Sequence, residues 1–259
     1  MTDTTQRTRT LRTLTAAAGA VALAMTASAC ADASDDTRPE KRDFALAGTR
    51  LTIDAADSSV VVRPADVKDV EVTRWFDGWS VLGDSPKATW SLNGHTLKFR
   101  VTCQGLVQNC SARHEVLVPR GVTVTVNNGD GRVEASGFGT PLTLTTKDGS
   151  VRVRDVTGPL ELSSGDGRIE ATGLASRRVT AHTSDGSLTL AFVQAPDSVE
   201  AASGDGSVRV ALPEQSYKVS ASSGDGHVRI AVPRDDSSHR TVTVRTSDGS
   251  VNVVEADAG

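Results

Sequence analysis

The sequence predicts an all-β chain built as a β-solenoid, a parallel β-helix with about 18–23 residues per coil, and three observations predict it. First, one short phrase recurs seven times, as in Ser164-Gly165-Asp166-Gly167-Arg168-Ile169. Its Asp residues, Asp130, Asp148, Asp166, Asp185, Asp205, Asp225 and Asp248, lie 18, 18, 19, 20, 20 and 23 positions apart. Second, the residues four and six before each Asp and three and five after it are apolar in all 28 cases, from Val124, Val126, Val133 and Ala135 to Val242, Val244, Val251 and Val253. Polar residues such as Thr143, Glu161, Arg152 and Glu170 stand between them, and alternation of period two is a half-buried strand. Each unit therefore reads as strand, tight turn, strand, connection. Third, the residue two before each Asp is always Asn, Ser or Thr, as a ladder of small polar groups stacked at one turn would require. A sequential meander would place alternate turns on opposite edges, where they need not match; uniform turns favour stacking.

The amino terminus reads as an export signal. Arg7, Arg9 and Arg12 precede an apolar run from Leu14 to Met25, too short for a spanning helix, which needs about 20 apolar residues. It ends in Ala27-Ser28-Ala29-Cys30, similar to a lipobox, with Ala27 where Leu is usual. Residues 1–29 are expected to be a lipoprotein signal peptide, with Cys30 lipidated and the protein held to the outer face of the cytoplasmic membrane. Residues 30–45, polar and charged, read as a flexible tether. Without residues 1–29 the chain carries 25 basic and 31 acidic residues, a net charge of −6, which argues against nucleic acid and against electrostatic binding to anionic lipid. Arg outnumbers Lys 22 to 6, and the composition resembles that of an actinobacterial proteome.

Residues 46–120 read as a first coil carrying an elaborated cap. Asp57 has Leu51 and Ile53 before it and Val60 and Val62 after it at the repeat offsets, but lacks the Gly. The excursion over residues 64–120 holds all three Trp residues and suits the hydrophobic cap that a stack needs at its end. Within it, Asn93-Gly94 predicts a two-residue hairpin that sets Trp90 opposite Leu97 and Ala88 opposite Phe99, with Trp90 in the core. Cys103 and Cys110 are expected to form a disulfide in an exported protein, worth about 2–3 kcal/mol, leaving His114 as a surface residue. Alternation along Val70–Phe76 puts Trp75 on a polar face, and Gly78 bends the chain so that Trp79 is exposed. Trp75 and Trp79 are thus candidate partner contacts; the competing expectation is that both are buried as part of the cap. Residues 121–259 are the regular repeats.

The run Val116-Leu117-Val118-Pro119-Arg120-Gly121-Val122-Thr123-Val124, followed by the Gly-Asp-Gly-x-Val repeats, resembles the putative-adhesin family of bacterial β-strand-repeat domains over about residues 46–256. The resemblance implies a right-handed parallel β-helix on an exported or membrane-anchored protein, and brings no catalytic residues with it.

No cofactor and no metal is expected. The Asp row invites a calcium ladder, since stacked strands put carboxylates about 4.8 Å apart, but the turn itself accounts for Asp-Gly: Gly accepts positive φ and Asp bonds its neighbouring backbone. A polysaccharide-active β-helix would need a cleft walled by long loops, and outside residues 64–120 the connections are short. No G-x-S-x-G, H-E-x-x-H or phosphate-loop motif is present. The expected role is a non-catalytic cell-surface lipoprotein that is adhesin-like or structural, with an unknown envelope protein or glycan as partner; an envelope-stress sensing accessory is the alternative.

Overall fold

The computed structural model describes residues 38–256, so the signal peptide and Cys30 lie outside the described residues. Among the described residues every regular element is a strand. The chain begins with β1 (Glu40–Phe44), β2 (Arg50–Ala55), β3 (Ser59–Ala65), β4 (Val70–Val81), β5 (Lys87–Asn93), β6 (Thr96–Thr102) and β7 (Val107–Pro119). Seven pairs follow, one per repeat: β8 (Thr123–Asn128) and β9 (Val133–Ser136), β10 (Leu142–Thr146) and β11 (Val151–Arg154), β12 (Leu160–Ser164) and β13 (Ile169–Leu174), β14 (Arg178–Thr183) and β15 (Leu188–Phe192), β16 (Ser198–Ser203) and β17 (Val208–Leu212), β18 (Lys218–Ser223) and β19 (Val228–Ala231), β20 (Thr241–Thr246) and β21 (Val251–Glu255).

Two long sheets result, one from the first strand of each coil and one from the second. Like positions pair in parallel from coil to coil, as Leu142 with Val124 on one side and Leu160 on the other. The apolar positions of the repeat point inward and are buried, except Ala221, Val228 and Ile230 in the coil that ends the stack. The chain is therefore a β-solenoid, as the periodicity predicts.

The coils do not stack in chain order. β20 lies between β16 and β18, and β21 between β17 and β19, so the last coil is inserted beneath the one before it. At the other end the excursion conceals a further coil. β6 pairs in parallel with β2 and β7 with β3, on the side away from β8 and β9. In it Leu97 and Phe99 continue the ladder of Ile53 and Ala55, while His114 stands beside Val60. β4 and β5 add antiparallel edges outside this coil.

Three further expectations are corrected. Residues 40–44, placed in the tether, form β1, an antiparallel edge strand on β4; it buries only Phe44, so alternation gives no sign of it. The hairpin turns at Gly94-His95, not Asn93-Gly94. Trp90 pairs with Phe99 and Leu92 with Leu97, and Gly94 at φ +59° is the first central residue, the position that a type II′ turn gives to Gly. The slip is two residues, so the inward face is unchanged and Trp90 packs half-buried against the core. Finally, the Asp-Gly glycines are not at positive φ, a conformation confined among the described glycines to Gly48, Gly94, Gly121, Gly137 and Gly173. They are glycines because the turns lie against each other: a Cβ on Gly167 would sit 1.9 Å from the carbonyl oxygen of Gly149, and one on Gly149 would sit 2.1 Å from that of Gly131.

Candidate functional site

The repeat turns are held by hydroxyls. The Thr146 Oγ1 donates to the Gly129 carbonyl at 2.6 Å and accepts from the Gly149 N–H at 3.2 Å. Ser164 does the same between Gly149 and Gly167, and Ser203 between Gly186 and Gly206. This is the expected polar ladder, and it fills the capping role that the sequence reading gave to Asp. All seven Asp side chains of the row are exposed beyond it. Among the described residues no group of three His, Cys, Asp or Glu side chains is placed to hold a metal ion. Hydroxyl capping needs no cation, so EDTA is expected to move the melting temperature by less than about 2–4 °C, the shift that roughly 1 kcal/mol gives a domain of this size. A larger drop, restored by calcium, would establish a metal ladder instead.

The excursion departs from the repeats in shape and surface. β4 and β7 are longer than any repeat strand and pair antiparallel from Glu71 with Leu117 to Val81 with Val107. The β3 partnership with β7 begins only at Arg113, so Phe76–Val81 and Val107–Ala112 continue past the coil as a two-stranded ribbon. Cys103 and Cys110 are disulfide-bonded partway along it, with Cα atoms 6.2 Å apart. Gly78 pairs with Cys110, and a Cβ there would lie 2.8 Å from the Cys110 Sγ, so glycine is what admits the bridge. At the far end the Leu106 N–H donates to the Val81 carbonyl at 3.0 Å, and Leu82 turns the chain at φ +53°.

The two candidate tryptophans separate. Trp79 is 37% exposed on the ribbon, but not through a bend at Gly78: β4 runs unbroken from Val70 to Val81 with Gly78 paired to Cys110, and Trp79 lies on the same strand face as Trp75. Trp75 is half-buried, and the Arg113 guanidinium lies 5.1 Å from its ring centre, so it is not the open aromatic face that alternation alone suggests. Val81, Leu82, Leu106 and Val107 join Trp79 on the exposed end of the ribbon, with Leu82 and Leu106 82% and 79% exposed. These four carry no periodic signal; only the strand pairing brings 81–82 beside 106–107.

Behind the ribbon sits a buried polar cluster. Arg74, on the inward face of β4, donates to Glu40 Oε2 and to the Ala88 carbonyl, each at 2.6 Å, and its guanidinium covers Trp90 at 4.3 Å. His114, expected at the surface, is 1% exposed and stacks on Phe99 with ring centres 3.9 Å apart. Burial and then the Arg74 charge lower its pKa to about 3. A shallow depression of about 350 Å³ between the ribbon and the first coil is lined by Asp57, Val101, Cys103, Gln108, Asn109 and Cys110.

The Toastrack DUF4097 family model matches residues 48–257, which covers both the repeats and the ribbon. The chain belongs to this family. No curated protein matches it. Two solved structures similar to this Toastrack chain are a putative adhesin from Bacteroides fragilis NCTC 9343 and a putative cell adhesion protein from Clostridium sporogenes ATCC 15579. The first is 13% identical over 84% of this chain and 98% of that one, with a TM-score of 0.44. The second is 10% identical over 84% and 99%, with a TM-score of 0.34.

Proposed function

We propose that this Toastrack chain is a non-catalytic, adhesin-like interaction protein of the cell envelope, exported and anchored by a lipid on Cys30, and that it makes contact through its N-terminal ribbon rather than through its repeats. The observation that carries the reading is the contrast between the two surfaces. The repeats turn most of their apolar side chains inward and present Thr, Glu, Arg and Asp outward, exposing only the separate Val193 and Val228 among large apolar groups of the described residues, whereas the ribbon end exposes Trp79, Val81, Leu82, Leu106 and Val107 together. Exposed apolar groups gathered on one rigid projection mark an interaction surface more often than scattered ones do. The basic, apolar and small-residue order ahead of Cys30 supports the anchor. Cell fractionation tests it. The wild-type protein is expected with the membranes and Cys30→Ala in the medium; wild-type protein already free in the medium, with the variant behaving alike, would end the anchored reading.

A further inference from the structure

We propose that the end of the ribbon inserts into the lipid surface of the membrane to which the chain is anchored, as a second, protein-borne contact. This rests on the lipid at Cys30 and names the partner of the ribbon.

Chain direction is the first ground. β1 runs antiparallel to β4 with Glu40 beside Arg74 and Phe44 beside Val70. Going back from Phe44 to Glu40 therefore moves along β4 toward the ribbon, and the chain enters β1 from the ribbon side. The ribbon end at Val81 lies seven residues beyond Arg74, about 23 Å at strand rise. Glu40 follows Cys30 by ten residues, which span at most about 36 Å. A lipid on Cys30 keeps the bilayer within that reach of Glu40, a distance comparable with the length of the ribbon.

The chemistry of the ribbon end is the second ground. Trp79, Val81 and Val107 share one face, since Val81 pairs with Val107 and Trp79 stands two residues earlier on the same strand. Leu82 and Leu106 cap the end. Residues 78–83 and 104–109 contain no charged side chain; the next residue, Asp84, is exposed and its carbonyl accepts from the Ser80 hydroxyl at 2.7 Å, so insertion has to leave that carboxylate at the hydrated headgroup level. An indole beside aliphatic side chains is the composition that settles at a membrane interface. The net charge of −6 gives no attraction to anionic lipid, so the contact is apolar and should persist at high salt. The disulfide midway along the ribbon and the full backbone ladder hold the end in place, so little order has to be gained on insertion.

The test uses full-length protein purified from the membranes of an expressing bacterium and reconstituted into phosphatidylcholine and phosphatidylglycerol vesicles, with or without brominated acyl chains. The mass of the peptide bearing Cys30 reports the anchor separately. Brominated lipid is expected to quench tryptophan emission in the wild type. The quenching should be lost in Trp79→Phe and in the double variant Leu82→Asp, Leu106→Asp, while both stay on the vesicles. Both leucines are exposed, so the double variant should melt like the wild type. Unquenched emission from anchored wild-type protein overturns the proposal and returns the ribbon to a protein or glycan partner. Quenching that survives in both variants overturns it too. If Cys30 proves to carry no lipid, the anchored reading fails on its own, and the same vesicles still decide the ribbon: sedimentation of the wild type but not of the double variant supports insertion, and sedimentation of neither refutes it.

Discussion

A chain ended at Arg240 is expected to lose the coils on both sides of the missing one, not merely its last turn. β20 and β21 come last in sequence but are interior in space. Val242 pairs with Val199 and with Val219, and Val251 with Val208 and with Val228. Removing them strips β18 and β19 of the strands they pair with and uncovers β16 and β17. Four fully buried valines go with the coil, Val242, Val244, Val251 and Val253, each worth about 1.5–3 kcal/mol of burial. That is comparable to the whole stability of an ordinary domain, about 5–15 kcal/mol. The outer coil has no ready way to close the gap. Along the stack, turns of the type Thr146-Lys147, Thr183-Ser184 and Thr246-Ser247 alternate with turns of the type Ser164-Gly165, Ser203-Gly204 and Ser223-Gly224. Each glycine turn lies against the carbonyl of a side-chain turn: a Cβ would meet it at 2.5 Å on Gly165, 2.4 Å on Gly204 and 2.6 Å on Gly224. Dropping β18 onto β16 would set two glycine turns side by side, a contact that the stack nowhere contains. Hydrogen exchange should show residues 198–231 unprotected in the truncated chain. Retained protection there, with a melting temperature near that of the full chain, would show that the inserted coil is dispensable.

That alternation also shows what the sequence held and how it was hidden. The inward ladder follows directly from the offsets around each Asp, because a strand has only two faces and one of them must be apolar. The order of the coils does not, since every coil offers the same offsets to every other. Only the turn dipeptides distinguish them. In chain order Ser203-Gly204 is followed by Ser223-Gly224, a break in the alternation; inserting Thr246-Ser247 between them restores it. The β6–β7 coil was illegible for a different reason. Its Asp-Gly turn is replaced by the disulfide-bridged segment and the ribbon, and His114 occupies a position where the repeats have Val, Ile or Leu. The exposure expected of Trp79 holds, yet for another reason than the expected bend, since the strand passes straight through Gly78; Leu82 and Leu106 become neighbours only through a pairing of residues far apart in the chain.

His114 makes the N-terminal end of the stack the acid-sensitive one. Its ring takes the place of an aliphatic side chain beside Val60, stacked on Phe99 from β6, and neither ring nitrogen has a hydrogen-bond partner among the described residues. The charged group facing it from β4 is Arg74, which is itself paired with Glu40 of β1. A proton on the ring would thus be buried without an acceptor and close to a guanidinium, and the pKa falls from 6.5 to about 3, chiefly through burial. Above pH 6.5 the imidazole is neutral both folded and unfolded and costs nothing. As pH falls from 6.5 toward 3 the unfolded chain takes up the proton and the folded chain does not, so stability is lost throughout that window. At about 1.4 kcal/mol per unit, the loss reaches about 3 kcal/mol by pH 4 and about 4 kcal/mol at pH 3, where the folded ring begins to take up the proton as well. His114→Val restores the ladder residue and removes the titrating group. Urea unfolding at pH 7 and pH 4 should show a clearly smaller loss in the variant than in the wild type. The comparison is between the two pH differences, so any change in packing against Phe99 cancels, as do carboxylates common to both proteins. Equal losses in the two proteins would mean that the buried imidazole is not what acid acts on.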